Sequence, residues 1–187
     1  LRNADPIVVP ISVSEKEDVG KGIQNALDAF TALYPNGVDV PTRIGEVRVN
    51  RRSIKDSLTH FMYPAKFDTV TSLPEGLEIA AYIDSIPDVD GKDIMNHFLV
   101  YPIMYGGEKK YVVCRVKEKF NVKKLYVHGV FSEEDIKKRG NALSQTQPPA
   151  ERVQLRGTAL YDSIIADFFN ADNGKASFEQ SAWHGSP

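Results

Sequence analysis

Cysteine is nearly absent from this sequence, and its scarcity argues against two kinds of site. The 187 residues include one cysteine, Cys114, so no disulfide can form within the chain. A zinc site made of cysteine and histidine is strongly disfavoured, because the other ligand types are not clustered along the sequence. Cys114 lies in the run YVVCRV, where we expect a small buried hydrophobic residue. A single thiol fits a reducing compartment.

A strong net charge and long hydrophobic runs are also missing. The formal net charge is −2, so the composition as a whole does not favour nucleic-acid binding, and any basic surface must be local. No apolar run approaches the roughly 20 residues that a membrane-spanning helix needs. We expect no leader peptide, no metal and no other cofactor. The chain begins at Leu1 rather than methionine, and we interpret it as a piece of a longer polypeptide.

The N-terminal part predicts an arm followed by a helix. Residues 7–13 are mostly apolar, but Pro10 favours an edge strand or an extended arm. Apolar residues then recur at helical spacing from about Ser14 to Leu33. Residues 35–37, Pro-Asn-Gly, end this helix.

A strand that runs into a short helix forms the centre of the sequence. Residues 45–50 alternate between apolar and polar, which predicts a half-buried strand, and a helix follows over residues 51–61. Ser57 and His60 lie on a polar stripe beside the apolar face of that helix. Two interpretations stay open: the pair forms part of a site, or Ser57 bonds back to the helix backbone and His60 only ends the helix.

The second half predicts a short helix and then an antiparallel meander. The helix begins at Pro64 and is interrupted by Pro74 and Gly76, and residues 77–83 suit either a helix or a strand. Residues 87–92, which include Asp88, predict a turn. Three strands follow at residues 95–104, 110–117 and 124–131, and their short connections predict antiparallel pairing.

Alternation along the last two strands predicts a charged face. Four side chains point away from the apolar face: Arg115, Lys117, Tyr126 and His128. On the last strand, Lys124 and Val130 are expected on the same face as Tyr126 and His128. Leu125, Val127, Gly129 and Phe131 are expected on the opposite face. Two cations, a phenol and an imidazole on one face suit an anionic ligand, although solvated sheet faces also carry charges.

The C-terminal part predicts a helix capped by Ser132 that ends near Arg139. Residues 140–156 contain few apolar residues and two adjacent prolines, which indicates a linker. A further helix is predicted at residues 158–170, and a polar tail follows it.

The segment from Gly45 to Ile136 resembles a known family. The matching pieces are GEV at 45–47, IKDSLTH at 54–60, Lys66, YPI at 101–103 with the hairpin YGGEKKYVV, and LYVH at 125–128. In this order they resemble domains of phage and mobile-element polyvalent proteins, including the C-terminal domains of MuF-type head-morphogenesis proteins. These belong to the barnase–EndoU–colicin–RelE nuclease superfamily. Residues 178–187 resemble the opening of an ADP-ribosyltransferase-like domain.

The resemblance implies an α+β fold, with N-terminal helices packed on an antiparallel sheet of about four strands. The implied organisation is an arm and helix at 1–37, the nuclease domain at 38–139, and a linker, one helix and a tail at 140–187. The implied activity is metal-independent RNA cleavage, in which the 2′-hydroxyl attacks the adjacent phosphate. The implied catalytic residues are His60, His128 and Tyr126, joined by Lys117, and the substrate-binding residues are Ser57, Lys66 and Arg115. Lys117 and Arg115 rest more on the predicted charged face than on the resemblance. His97 ranks third among the histidines.

Three functions follow as hypotheses. The first is an endoribonuclease effector or toxin, delivered by a phage or plasmid to the bacterial cytoplasm, with RNA and an immunity or virion protein as partners. The alternative is a non-catalytic protein-interaction module of a polyprotein, which predicts an exposed apolar patch. A weaker third hypothesis is a DNA-processing role without cleavage, through local basic patches.

Overall fold

The fold is arranged around one long strand, Ile94–Tyr105. The computed structural model describes residues 5–11, 19–59, 64–89, 91, 93–146 and 159–171. The chain divides into two compact units, one that ends at Phe131 and one that begins at Ser132. The predicted α+β class is confirmed. In chain order the elements are β1 (Ile7–Val9), α1 (Val19–Leu33), β2 (Val38–Thr42), β3 (Gly45–Val49), α2 (Arg51–Leu58), α3 (Pro64–Asp68), a 3-10 helix (Val70–Ser72), α4 (Leu73–Ile79), β4 (Ala81–Pro87), β5 (Ile94–Tyr105), β6 (Glu108–Lys119), β7 (Val122–Phe131), α5 (Glu133–Thr146) and α6 (residues 159–171).

Strand β5 has different partners along its two edges. On one edge it pairs antiparallel with β6, which in turn pairs antiparallel with β7. On the other edge β4 pairs antiparallel with residues 95–100, and β1 pairs parallel with residues 103–105. The sheet is therefore mixed, whereas the resemblance implied an antiparallel one. The difference arises because β1 fills the part of the β5 edge that β4 leaves open.

Most other elements lie where the sequence predicts them, with two differences in the first unit. Residues 77–83, which suited either a helix or a strand, contain the end of α4 and the start of β4. Strand β2 was not predicted, because Pro41 interrupts its short apolar alternation. Its proline is tolerated because β2 pairs only with β3, in a separate two-stranded hairpin.

The core of the first unit lies between the helices and one face of the sheet. Helix α2 packs against β7, and α4 packs against β2 and β5. Cys114 is fully buried, as predicted, together with its neighbours on the same face, Val112 and Val116. The apolar side chains that meet them from α1, α2 and α4 include Phe30, Ile54, Leu58, Leu73 and Leu77.

A glycine in α4 makes room for the largest fully buried side chain of the sheet. Tyr101 is 0% exposed, and its hydroxyl lies 2.9 Å from Ser72 Oγ. A Cβ atom built on Gly76 would come within 2.3 Å of the Tyr101 ring. The prediction that Gly76 interrupts the helix was therefore wrong. Its missing side chain instead lets the helix approach the sheet closely.

We expect Gly76→Ala to destabilise the first unit. Overpacking typically costs about 1–3 kcal/mol, and a contact this short lies at the upper end of that range. The gain in helix propensity, about 1 kcal/mol, offsets only part of the loss. Urea unfolding should therefore show a net loss of about 1–2 kcal/mol. Glu78→Ala, at an exposed position of the same helix, is the control and should change stability by less than about 0.5 kcal/mol. A Gly76→Ala protein as stable as the wild type would contradict the packing argument.

In the second unit, α5 extends further than the sequence predicts. Ser132 Oγ accepts a hydrogen bond from the Asp135 amide at 3.1 Å, which confirms the predicted helix cap. The helix then continues to Thr146 rather than ending near Arg139. A Cβ atom on Gly140 would lie 2.1 Å from Ala166 Cβ, so Gly140 is a close-packing position against α6 and not a helix end. Helix α6 confirms the helix predicted at residues 158–170.

Candidate functional site

The register of β6 and β7 brings the predicted charged side chains onto one face. Arg115 lies opposite Tyr126, and Lys117 lies opposite Lys124. These four residues and His128 are here called the basic face. They point away from the helices, since Cys114 and Val127, on the other side of the same strands, belong to the core. The sequence therefore placed the four predicted side chains on the correct face.

A β-bulge sets the position of His128. The register passes from Cys114–Val127 to Val113–Gly129, so β7 contains one more residue than β6 at this point. The alternation after His128 is consequently reversed, and the predicted faces of the last two residues were wrong. Val130 lies in the core, and Phe131 lies opposite Tyr111 on the face that carries Arg115.

The bulge holds the His128 imidazole between two aromatic rings. The ring of Phe98 meets it edge-to-face, with centroids 6.5 Å apart. The ring of Phe131 lies 6.0 Å from it on a tilted plane. These contacts restrict the orientation of the imidazole beside the Arg115 row of the sheet.

The Arg115 guanidinium is held in one orientation by two neighbours. Its central carbon lies 4.6 Å from the centroid of the Tyr126 ring, in a cation–π contact. Its Nη1 donates to Asn96 Oδ1 at 3.1 Å. Asn96 is fully buried, and its Nδ2 donates to Asp88 Oδ2 at 3.2 Å. The Lys117 ammonium lies 3.3 Å from the same carboxylate oxygen, so one polar network connects the two cations.

Two ammonium groups face each other across the strands. Like charges directly opposite in a sheet destabilise it, yet Lys117 and Lys124 occupy such a pair. Each has its own carboxylate, since Lys124 lies 3.1 Å from Asp56 Oδ2. Hydrogen bonds to Tyr126, and then to Asp56, raise the pKa of Lys124 above its usual value. Lys124 is therefore cationic at neutral pH, and the Lys117 and Lys124 side chains point to the same face.

A cleft of about 460 Å³ lies at the β7 edge of the sheet, where Lys124 meets Asp56. The hairpin β2–β3, the start of α2 and the β6–β7 turn form its walls. Its lining carries both signs of charge, and it consists of Asp39, Glu46, Arg48, Asn50, Arg52, Ser53, Asp56, Asn121, Val122, Lys123, Lys124 and Leu125.

Ser57 lies on the other side of the sheet, within the buried layer between α2 and β7. Its hydroxyl donates to the Ser53 carbonyl at 2.8 Å, which is the local bond that the sequence allowed. The same oxygen accepts the backbone N–H of Val127 at 3.1 Å. Strand β7 is an edge strand, so Ser57 satisfies a donor that has no neighbouring strand to bond. The structure does not bring Ser57 together with the basic face.

We expect Ser57→Ala to lower stability by about 1–3 kcal/mol, because the Val127 N–H would lose its acceptor in a buried place. Chemical denaturation measures the effect. The control is Thr59→Ala, whose exposed hydroxyl bonds the Asp56 carbonyl at 2.9 Å and whose loss should cost less than about 0.5 kcal/mol. An unchanged unfolding free energy in Ser57→Ala would contradict this structural role of the Ser57 hydroxyl.

Lys66 is also on the helix side, and it is 1% exposed. Burial lowers its pKa to about 8, while the nearby Cys114 opposes this shift. Burial likewise raises the pKa of Cys114 to about 12. The Lys66 ammonium is thus separated from the basic face by the sheet, and its predicted contact with substrate stays a prediction without geometric support.

The low pKa of Lys66 predicts a pH dependence of stability. Between pH 8 and its ordinary value of 10.5, the unfolded lysine keeps a proton that the folded one has lost, so the unfolding free energy rises with pH. From about pH 9, Cys114 acts in the opposite direction, because the unfolded thiol ionises and the folded one does not. We therefore expect a rise of about 1 kcal/mol between pH 8 and 9.

Lys66→Met should abolish this rise, whereas Lys55→Met, at an exposed position of α2, should leave it unchanged. Unfolding curves at pH 7, 8 and 9 make the comparison. The same slope in Lys66→Met as in the wild type would show that another group titrates.

Of the other three histidines, only His97 lies within the described residues. His60 lies outside the described residues, as does His184. His97 is on the core side of the sheet, opposite Ser85 and Val116, and its ring bridges two side chains. Its Nδ1 lies 2.5 Å from Ser85 Oγ, and its Nε2 lies 2.9 Å from Glu118 Oε1. Hydrogen bonds from His97 and from Lys123 lower the pKa of Glu118.

Sequence reasoning missed the residues that orient the basic face. Asn96 and Asp88 form the network under Arg115 and Lys117, and Asp88 had been assigned only to a turn. The available signal was Asn96, a buried polar residue on the same side of its strand as Phe98. Lys124 had been placed on the correct face, but its pairing with Asp56 depends on how α2 packs.

Two features are absent from the described part of the chain. Within it, no three side chains of His, Cys, Asp or Glu come together as metal ligands would. None of its helices combines the length and the apolar character that crossing a membrane requires.

Comparison with known families decides the assignment. The family described as large polyvalent protein-associated domain 3 matches residues 21–126, more than half of the chain. The chain belongs to this family. The match includes Arg115, Lys117 and Tyr126 and ends two residues before His128. The expected assignment to a polyvalent-protein module is therefore confirmed. Comparisons with curated proteins and with solved structures gave no match.

Proposed function

We propose that this domain is a metal-independent endoribonuclease and that its RNA substrate lies along the basic face. The observation that best supports the proposal is the fixed Arg115 guanidinium, stacked on Tyr126 and bonded to Asn96, in a row with His128 and two lysines. A planar guanidinium held in one orientation suits recognition of phosphate oxygens. An adjacent imidazole suits proton transfer near neutral pH.

The facing amines support an anionic substrate. Lys117 and Lys124 are held opposite each other although their charges repel, which favours a role that needs both. Phosphate groups on one RNA strand would lie between them and reduce this repulsion. The tyrosine between Lys124 and Arg115 adds an aromatic surface of the kind that binds unpaired bases.

The proposed reaction needs two proton transfers and one stabilised phosphate. A base takes the proton of the 2′-hydroxyl while its oxygen forms a bond to phosphorus. The bond from phosphorus to the 5′-oxygen breaks, and an acid gives that oxygen a proton. The products are a 2′,3′-cyclic phosphate and a 5′-hydroxyl. His128 carries out one transfer, and His60 is the partner that the sequence predicts. Arg115 stabilises the charge on the non-bridging oxygens.

We also propose a setting for this reaction. A domain of a polyvalent protein, delivered by a phage or a plasmid, would act on RNA in the bacterial cytoplasm. An immunity or virion protein would then be its protein partner.

Cleavage of RNA in EDTA tests the proposal. We expect the wild-type protein to leave 2′,3′-cyclic phosphate ends, and His128→Ala to cleave about 10²- to 10⁴-fold more slowly, as for loss of a general acid or base. His60→Ala should show a similar loss. Arg115→Lys should lower the rate about 10²-fold, since lysine keeps the charge but not the planar donor set. Gel analysis of end-labelled RNA measures the rates, and treatment with a cyclic phosphodiesterase identifies the ends.

The matched control is His97→Gln, because His97 lies on the opposite side of the sheet from His128. It should cleave at the wild-type rate. A substrate with a 2′-deoxy sugar at the cleaved position should not react. Cleavage that requires a metal ion, or that is unchanged in His128→Ala, would contradict the proposed mechanism.

The alternative, a protein-interaction module, is favoured by a different observation. Val8 and Ile11, at the N-terminal strand, are 78% and 50% exposed. An exposed apolar pair beside a sheet edge suits contact with another protein. An absence of cleavage, together with binding of a protein partner that Val8→Asp abolishes, would favour this function over the ribonuclease.

A further inference from the structure

The turn between β6 and β7 has an unusual composition for its shape. Its two residues, Phe120 and Asn121, have φ angles of 49° and 66°, which are the positive angles of a type I′ turn. The turn between β5 and β6 has the same shape but consists of Gly106 and Gly107, with φ angles of 61° and 76°. Glycine and asparagine adopt such angles easily, whereas a phenylalanine there is an outlier.

Packing of the Phe120 side chain does not compensate for the strain of its positive φ angle. Phe120 is 74% exposed, and its neighbour Val122 is 70% exposed. A strained residue normally persists where burial compensates for it or where its side chain has a function. Since Phe120 is largely in solvent, its function lies outside the folding of the chain.

The charges around Phe120 indicate what would bind it. The hairpin tip, residues 117–124, contains the lysines 117, 119, 123 and 124 but only one acidic residue, Glu118, within a chain whose net charge is −2. The Lys119 ammonium lies 5.5 Å from the centre of the Phe120 ring. Among the described residues, no carboxylate pairs with Lys119. An exposed ring beside a row of cations is complementary to a polyanion that carries flat rings.

The tip continues the basic face. Arg115, Lys117 and Lys119 are alternate residues of β6, so they point to the same side at intervals of about 7 Å. This row runs from the guanidinium beside His128 to the exposed ring. A single strand of nucleic acid that follows the row would place its phosphates over the cations and reach Phe120 with a base.

We propose that Phe120 is a stacking platform for an unpaired base of single-stranded RNA, and that the row from Lys119 to Arg115 leads the same strand to the basic face. The proposal takes its substrate class from the ribonuclease function above. It assigns the specificity of that site to an unpaired base at a fixed distance from the phosphate at Arg115. Base-paired RNA cannot offer a free base to the ring, so a duplex should bind more weakly.

Binding without cleavage tests the proposal. The probe is a fluorescein-labelled single-stranded 2′-O-methyl RNA, which lacks the attacking hydroxyl, and fluorescence anisotropy gives its affinity for the wild-type chain. We expect Phe120→Ala to weaken binding about 5- to 100-fold, the range for loss of one stacked base. Phe120→Trp should bind at least as tightly as the wild type. The matched control Val122→Ala, at the same tip, should change the affinity less than about twofold.

A second variant separates binding from folding. Phe120→Asn places a residue that accepts a positive φ in the turn, so we expect a higher melting temperature together with the same loss of affinity as Phe120→Ala. A lower melting temperature with unchanged affinity would overturn the proposal, because the ring would then be structural.

The outcomes distinguish this proposal from the ribonuclease proposal. If the wild-type chain cleaves RNA and Phe120→Ala binds the probe as tightly as the wild type, the platform is refuted and the nuclease stands. If the probe binds in a Phe120-dependent way but natural RNA is not cleaved, the platform stands and the nuclease is refuted. If the wild-type chain does not bind the probe, the platform is refuted.

Discussion

The hydrogen bond from the Val127 amide to Ser57 Oγ joins the helical layer to the edge of the sheet. Among the described residues, strand β7 has a neighbouring strand on one side only, and Ser57 takes the place of a second one at the centre of its free edge. Because the same hydroxyl also bonds the backbone of α2, the position of β7 is tied to that helix. The next residue along, His128, begins the bulge. The position of the basic face therefore depends on a side chain that lies on the other side of the sheet from it.

Strands β6 and β7 show most clearly which side-chain positions can be predicted from the sequence. Strict alternation holds along β6, so Arg115 and Lys117 could be assigned to the outer face and Cys114 to the core. On β7 alternation holds as far as Tyr126 and fails after the bulge, where Val130 and Phe131 exchange their predicted faces. A bulge changes the register by one residue, because two residues of one strand pair with one residue of its partner. A single sequence does not reveal this, since the bulge is defined by the pairing between the two strands.

Gly76 and Gly140 show a second kind of wrong prediction, which concerns where helices end. Gly76 was predicted to interrupt a helix and Gly140 to begin a linker, yet both lie within helices at places where another element comes close. Propensity describes the cost of glycine in an isolated helix, whereas here the missing Cβ allows contact with Tyr101 and with Ala166. The predicted substrate-binding roles of Lys66 and Ser57 lack geometric support for a related reason. Their residue types suggested a site, but only the packing shows that they are enclosed by the core.

Two features of the β6–β7 hairpin oppose local stability: the facing lysines and the strained Phe120. Chains usually agree with local rules, and exceptions tend to be at functional places. Both exceptions lie on the row that ends at His128. Since the net charge of the chain is −2, long-range attraction of the proposed RNA substrate is weak, and its binding would come from close contacts along this row. Such contacts depend on where an unpaired base stands relative to a phosphate. For the proposed ribonuclease, the charge distribution therefore favours selective recognition of a particular single-stranded shape over degradation of RNA in general.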